Sequence, residues 1–226
     1  MGYRIKPIGR IACALIALLC AALPAAPARA EPKYEFALSL GYARETLDGS
    51  ASPFNSRDGF RIEPRFTFGV SEEMPQLKLG VGLGLSGYSK SIDDDGDDFV
   101  VIDGEVFFIN VDDVESLTLL TPEFQISWRQ QLGADRRWFI EPGVAVGVVI
   151  GNYWVGNTWG WYSDEDINEW DATLSGRPFL RAGYQSDRWL VGLEASYLFG
   201  GDLNFTDDIA GNIQEFYGGA FFGFSW

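Results

Sequence analysis

The stretch 213–226, IQEFYGGAFFGFSW, alternates between two kinds of side chain. Its even positions are almost all apolar: Phe216, Gly218, Ala220, Phe222, Phe224 and Trp226. Its odd positions include the small residues Gly219, Gly223 and Ser225, and the charged Glu215 lies near the start of the stretch. A period of two is typical of a β-strand whose two faces meet different environments. A terminal strand this apolar indicates a strand that closes a membrane barrel, with one face against lipid.

Seven further segments alternate in the same way and make eight in all. They span 34–42, 60–70, 77–88, 117–129, 138–150, 173–185 and 189–199. Each is close to the 9–11 residues that a tilted membrane strand needs. The connections alternate long and short: 44–59, 71–76, 89–116, 130–137, 151–172, 186–188 and 200–212. The pattern predicts an all-β fold, an eight-stranded antiparallel up-and-down transmembrane β-barrel, with both termini at the short-turn end.

Aromatic residues support this interpretation over a soluble β-protein. The lipid-facing positions nearest the short turns are Tyr34, Val70, Leu77, Trp128, Trp138, Tyr184, Trp189 and Trp226. Six of the eight are Trp or Tyr, which prefer a membrane interface because the ring is apolar and also carries a hydrogen-bonding group. Four prolines lie inside predicted strands, namely Pro64, Pro122, Pro142 and Pro178. Proline cannot donate to a β-ladder, so we expect bulges or bends there.

Residues 1–30 are predicted to be a cleaved secretory signal peptide, which leaves 31–226 as the barrel. The signal has a basic start at Arg4, Lys6 and Arg10, an apolar run at 11–23 and a small-x-small site at 28–30. Both cysteines, Cys13 and Cys20, lie within it, so no disulfide is expected in the mature chain. Four of the 17 basic residues and none of the 32 acidic ones precede residue 31, which leaves a net charge of −19. That charge argues against nucleic acid as a partner.

With its signal peptide, eight alternating segments and the end GGAFFGFSW (218–226), the chain resembles the small outer-membrane barrels of the OmpA transmembrane-domain, OmpX and OmpW kind. The resemblance covers the mature chain but identifies no subfamily. It implies that the terminal apolar residues are read by the barrel assembly machinery: Ala220, Phe222, Phe224 and Trp226. We therefore expect a monomer in the cell outer membrane, surrounded by lipid and lipopolysaccharide.

The faces opposite the lipid-facing ones carry charged residues. The acids are Glu35, Glu63, Glu123, Glu141, Glu194 and Glu215, and the bases are Arg61, Arg65, Lys78, Arg129, Arg177 and Arg181. Unpaired charges in a narrow, low-dielectric interior cost several kcal/mol each, so equal numbers predict a mutually neutralising network. About eight strands leave room only for side chains or one small ligand. Glycines on the inner faces predict a small remaining cavity: Gly80, Gly82, Gly84, Gly143 and Gly147.

The residue types argue against an enzyme. The chain has no histidine, which the known small-barrel enzymes use as a general base. The mature lysines, Lys33, Lys78 and Lys90, show no spacing typical of a Ser–Lys pair, and the glutamates are better explained as ion pairs. No Cys/His set is present for a metal. We expect no catalytic residue, no cofactor and no such metal site.

The long loops are acidic and in part aromatic. Asp93, Asp95 and Asp97 surround Gly96 and form a possible divalent-cation loop, although their spacing does not match an EF-hand and a solvated acidic loop is preferred. In 89–116, Asp103-Gly104 between two strand-forming runs predicts a hairpin above the membrane; a ten-stranded barrel is the alternative. The aromatics of 151–172 are expected to anchor the loop or cover the barrel mouth rather than stack on sugars.

Two functions are compatible with these patterns. The first is a non-enzymatic barrel with an ion-paired lumen and a structural or surface-interaction role carried by its loops. The second is a narrow, porin-like passage for small solutes or ions, gated by the lumen Glu/Arg pairs. Electrical conductance would separate the two.

Overall fold

The computed structural model describes residues 34–48, 56–71, 73–91, 99–102, 105–108, 113–157, 167–205 and 210–226. They form the strands β1 (Tyr34–Asp48), β2 (Arg57–Gly69), β3 (Leu77–Ser91), β4 (Phe99–Ile102), β5 (Glu105–Phe108), β6 (Asp113–Trp128), β7 (Gln130–Leu132), β8 (Trp138–Asn157), β9 (Ile167–Gln185), β10 (Trp189–Asn204) and β11 (Ala210–Ser225). No helix in these ranges is long and apolar enough to cross a membrane.

The main sheet closes on itself. Its strand order is β6-β3-β2-β1-β11-β10-β9-β8-β7, and β6 also pairs with β8, so the sheet has no free edge along the barrel. The first and last strands pair in antiparallel register from Glu35 opposite Ser225 to Asp48 opposite Asn212. Tyr34 and Trp226 exchange two backbone hydrogen bonds of 3.0 Å at the terminal end. The predicted eight-stranded up-and-down barrel is confirmed, with β6 and β7 together forming one of the eight strands.

The hairpin predicted within 89–116 is also confirmed. Strands β4 and β5 pair only with each other, from Phe99 opposite Phe108 to Ile102 opposite Glu105, in a separate two-stranded sheet. Its second arm ends at Phe108, and 109–112 lie outside the described residues. Because these strands do not join the barrel sheet, the ten-stranded alternative is wrong.

Of the bulges or bends expected at the four prolines, the bulges are wrong, because no ladder changes register there. Around Pro64, the ladder between β2 and β3 resumes in the same register, with Ile62 opposite Leu85 and Arg65 opposite Gly82. The ladders at Pro122 and Pro178 are likewise interrupted for two pairs without a shift. Opposite Pro142 the interruption separates β6 from β7, which continue in one register. Each proline therefore removes hydrogen bonds locally, and the long ladders on both sides hold the alignment.

The strands extend further than predicted at the end opposite the termini, which we call the loop end. For example, β1 continues from Tyr42 to Asp48, and β8 from Ile150 to Asn157. Nearer the termini, every strand has an exposed apolar residue on the outer wall: Leu40, Phe60, Leu85, Phe124, Val146, Leu180, Leu193 and Phe222. The corresponding inner wall is charged. At the loop end the polarity reverses while the period of two continues.

In this reversed region most inner residues are apolar and most outer ones are polar, with Trp154 and Trp170 as aromatic members of the outer wall. The buried inner residues include Leu47, Leu117, Tyr153, Leu203, Phe205 and Ile213. The outer wall carries Arg44, Asp58, Ser89, Thr118, Asn152, Asn168, Asp202, Asn212 and Gln214. We call this part of the wall the collar. On the eight strands it begins beyond Tyr42, Phe60, Leu85, Leu120, Ile150, Ala172, Phe199 and Phe216. An apolar inside and polar outside are what water requires, so the lipid boundary lies at the base of the collar.

The other boundary is marked by two clusters of aromatic rings at the terminal end. In one, Tyr184 contacts Trp138 and Trp189, with ring centroids 5.3 Å and 5.8 Å away. In the other, Tyr34, Phe66 and Trp226 lie within 6.4 Å of one another. Trp138 and Trp226 are 58% and 62% exposed, which suits residues at a lipid interface.

The position of the boundary can be tested by moving one charge along the outer wall. Leu193→Arg, in the middle of the lipid-facing band, should lower the free energy of unfolding by about 2–4 kcal/mol, while Asn212→Arg on the collar should change it by about 0–1 kcal/mol. Urea titration of the refolded barrel in liposomes, followed by tryptophan fluorescence, measures both. Equal losses in the two variants would contradict the assigned boundary.

Candidate functional site

The structure places all the predicted lumen charges on the inner wall. Each is at most 4% exposed: Glu35, Arg61, Glu63, Arg65, Lys78, Glu123, Arg129, Glu141, Arg177, Arg181, Glu194 and Glu215. They come from all eight barrel strands and form one continuous set of ion pairs. The set begins near the termini and ends at Glu215, in the base of the collar.

The terminal end of the set is built around Arg129, which lies between β6 and β7. Its guanidinium donates to both carboxylate oxygens of Glu35, at 2.6 Å and 2.8 Å. It also contacts Glu141 at 2.5 Å. Lys78 Nζ lies 3.5 Å from Glu35. The ladder gap opposite Pro142 thus falls where one side chain joins two carboxylates.

The centre of the set is built around two arginines of β9. Arg177 contacts Glu123 at 2.6 Å, Glu63 at 2.7 Å and Glu194 at 3.1 Å. Arg181 contacts Glu194 at 2.9 Å and Glu141 at 3.0 Å. A planar guanidinium with five N–H donors can serve several carboxylates at once, which a lysine ammonium does with less geometric control.

Above the centre, Arg61 connects the set to β11. Its guanidinium contacts Glu215 at 2.9 Å and Glu63 at 3.1 Å. Glu215 also accepts hydrogen bonds from Ser86, at 2.6 Å, and from the Tyr88 hydroxyl. These bonds satisfy a carboxylate that is removed from water.

Inward-facing phenyl rings complete the packing around the guanidinium groups. Arg181 lies 3.9 Å from the centroid of Phe179, and Arg129 lies 4.4 Å from that of Phe139. Arg65 lies 4.8 Å from the centroid of Phe221. Such cation–π contacts stabilise the guanidinium groups in an interior from which water is excluded.

The sequence analysis missed one buried ion pair, Glu45 with Arg57. Their side chains are 0% and 1% exposed and lie 2.9 Å apart within the collar. Both residues fall in the predicted loop 44–59, because the apolar outer residues stop at Tyr42. The inward positions of β1 and β2 are odd-numbered, so continuing the period of two would have found both. In the β1–β11 register Glu45 lies opposite Glu215, which brings the pair next to the central set.

The cavity expected beside the inner glycines is wrong. A Cβ added at Gly84 would overlap the Arg61 guanidinium and the Thr121 hydroxyl. One added at Gly82 would lie 2.7 Å from Gln125, and one at Gly80 2.6 Å from Thr67. Gly143 and Gly147 are likewise closed by Phe179 and by the Pro122 carbonyl. The glycines make room for the long inward side chains, which fill that room.

The collar interior is a second, different filling. It consists of the cluster Ala43, Leu47, Tyr88, Leu117, Leu119, Val149, Tyr153, Leu198, Leu203, Phe205, Ile213 and Tyr217, each at most 5% exposed. Tyr153 and Phe205 stack with centroids 5.6 Å apart across the barrel. The lumen is therefore charged below and apolar above, and both parts are packed.

The other predicted site residues lie on the outer wall or outside the described residues. Phe222, Phe224 and Trp226 of the predicted assembly signal point outward, 48%, 54% and 62% exposed, and Ala220 is exposed beside them. Asp93, Asp95 and Asp97 lie outside the described residues, so the divalent-cation loop stays a prediction. In the part of the chain that the structure covers, no group of three or more Asp, Glu, His or Cys is arranged to hold a metal ion.

The fold and its interior define the class of protein: a small eight-stranded β-barrel of the outer-membrane type, with an apolar outer wall and a packed, charged lumen. No protein-family model and no curated protein sequence matches the chain. Neisserial surface protein A is similar in structure, with a TM-score of 0.54, 9% identity, and coverage of 85% of this chain and 97% of that one.

Two other solved structures are similar at lower scores. Ail, the attachment invasion locus protein of Yersinia pestis, has a TM-score of 0.49 and 12% identity, covering 86% of this chain and 99% of that one. The outer membrane protease OmpT from Escherichia coli has a TM-score of 0.44 and 11% identity, covering 89% and 99%. At such identities the likeness concerns the fold alone.

The central ion pairs give a direct stability test. Arg177→Met leaves three buried carboxylates without a shared cation and should cost about 3–5 kcal/mol of unfolding free energy. Adding Glu123→Gln should recover part of that loss, because it removes one of the stranded charges. Arg44→Met, at an exposed pair 3.8 Å from Asp58, is the matched control and should cost little. Urea unfolding in liposomes measures the three variants. An equal loss of unfolding free energy in Arg44→Met and Arg177→Met would contradict the assigned network.

The filled glycine positions give a second test. Gly84→Ala should displace the Arg61 guanidinium and destabilise the barrel by about 1–3 kcal/mol, the usual cost of overpacking. Gly87→Ala, on the same strand, is the control, since its Cβ would lie an ordinary 3.5 Å from Phe60. The temperature at which the folded band is lost on an unheated-versus-heated gel measures both. A Gly84→Ala barrel as stable as Gly87→Ala would mean that the lumen has free space.

Proposed function

We propose that this chain is a non-enzymatic, closed outer-membrane barrel with a structural or surface-interaction role at its loop end. The observation that carries the proposal is the filled lumen, with ion pairs from Glu35 to Glu215 and an apolar core above them. Opening a path would require separating buried charges or hydrating the collar core, and both are costly. The barrel then acts as a rigid stem that presents the loop end.

The state of the carboxylates supports a non-enzymatic role. A general acid or nucleophile must reach a substrate, yet every lumen glutamate is at most 4% exposed and lies within salt-bridge distance of a cation. The chain also has no histidine to serve as a base.

We infer the partners from the outer wall. Its apolar band includes exposed residues on all eight barrel strands, which suits a monomer surrounded by lipid, with lipopolysaccharide at the loop end. The outward residues of β11 are available to the barrel assembly machinery before the barrel closes. The net charge of −19 after residue 30 disfavours nucleic acid.

One observation favours a second candidate, the narrow gated passage. The Glu45–Arg57 pair carries charge into the collar on the β1–β2 side, next to Glu215. An ion or water path would follow this side of the lumen, and exchange of carboxylate–guanidinium partners would open it. The apolar residues on the other strands of the collar argue against such a path at rest.

Planar-bilayer conductance on refolded 31–226 separates the two candidates, with heat-dependent gel mobility as proof that the barrel has formed. The closed barrel should be electrically silent, and Glu45→Gln or Glu123→Gln should lower its stability without producing current. Reproducible current steps whose size changes in these variants would instead establish the gated passage. Leu193→Ala, on the outer wall, is the control and should behave like the unsubstituted barrel: silent if the barrel is closed, and with unchanged current steps if the passage exists.

A further inference from the structure

The outer wall of the collar holds a compact grid of aromatic and polar side chains on β6, β8 and β9. The register aligns them in two rows across the strands, Thr118–Asn152–Trp170 and Ser116–Trp154–Asn168. With strands about 4.8 Å apart and alternate residues about 7 Å apart, the grid measures about 10 Å by 7 Å. This is the size of one or two sugar rings.

All six side chains are on the outer face, where even-numbered residues of these strands point. Trp170 is 64% exposed, Thr118 and Asn168 are exposed, and the other three are half-buried. The Asn152 amide donates a 2.6 Å hydrogen bond to the side-chain oxygen of Asn168. This bond holds the two amides in place, and each keeps a second polar atom, Asn152 Oδ1 and Asn168 Nδ2.

The grid directly continues the lipid-facing wall. Leu174, two residues along the outer face from Ala172, is 77% exposed, and Ile150 lies two residues from Asn152 on β8. The grid therefore lies where acyl chains give way to headgroups. In the proposed membrane barrel, the groups that face the grid would be headgroups of the surrounding leaflet.

The side-chain types indicate which headgroup chemistry fits. None of the six is a cation, so the grid offers a phosphate no charged partner. A neutral sugar suits the grid, because its C–H face packs on a flat indole and its hydroxyls pair with amide and hydroxyl groups.

We propose that this grid binds the sugar ring of a neutral glycolipid headgroup in the surrounding leaflet. The inference rests on the proposed membrane barrel and specifies one partner of its loop end. It differs from the sequence expectation for 151–172, in which the aromatics only anchored the chain or covered the mouth.

Simple interface anchoring is the competing explanation, and Trp138 provides the matched comparison. Trp138 is also on β8 and is 58% exposed, but it lies in the opposite girdle, where its cross-strand neighbour is Tyr184. If Trp170 were only an interface anchor, the two indoles would respond alike to a sugar headgroup.

The test uses the ¹⁵N-labelled refolded barrel in phosphatidylcholine nanodiscs containing increasing fractions of monogalactosyl diacylglycerol. The indole N–H signals, assigned by Trp→Phe substitution, should shift saturably for Trp154 and Trp170 and stay constant for Trp138. Asn168→Ala should weaken the response roughly fivefold, the effect of losing one hydrogen bond. Phosphatidylglycerol in place of the glycolipid should have no such effect.

Equal shifts at Trp138 and Trp170, an unchanged response in Asn168→Ala, or the same response to phosphatidylglycerol would each overturn the proposal. Shifts with soluble methyl galactoside but not with the glycolipid would overturn the assignment to a membrane lipid. The proposed closed barrel fails separately, by conducting current in planar bilayers, and that result leaves the indole shifts unaffected.

Discussion

The need to neutralise charge away from water is the constraint on which this barrel depends. Arg177 contacts three carboxylates, and through them it reaches Arg61, Arg65 and Arg181. None of these groups has solvent as an alternative partner, so the position of each is set by the others. The glycines opposite the arginines and the phenyl rings beside them follow from the same need, since a large guanidinium requires both space and contact.

The second organising feature is the reversal of polarity along each strand. Where the outer wall meets lipid, the polar side chains are inside, and where it meets water, the apolar ones are inside. The same backbone alternation serves both regions, so one continuous strand crosses from lipid into water without changing its register. The collar core fills the loop end of the lumen with mostly apolar packing, and Tyr88 within it donates a hydrogen bond to Glu215 of the ion-paired set. The lumen thus holds two fillings, one charged and one mostly apolar.

Because the described inner side chains are buried, the groups that a partner can reach lie on the outer surface and at the loop end. The outer wall of the collar continues the lipid-facing wall toward the loop end. Amides, hydroxyls and indoles lie together there, in contrast to the apolar band and the ion-paired lumen. Their arrangement depends on strand register, which joins Ser116, Trp154 and Asn168 from separate parts of the chain.

The sequence by itself determined the strand number, the antiparallel order, the lipid-facing residues and which charges face inward. These follow from the period of two within single segments, and such a pattern can be recognised without knowing which strands the segment pairs with. It also predicted the β4–β5 hairpin, whose turn signal is local. Only the tertiary structure decided the strand ends, the Glu45–Arg57 pair, the closed glycine positions and the uninterrupted register at the prolines. The physical reason is that these depend on neighbours across the barrel: Arg177 and Glu123 are 54 residues apart, and only closure of the sheet brings them together.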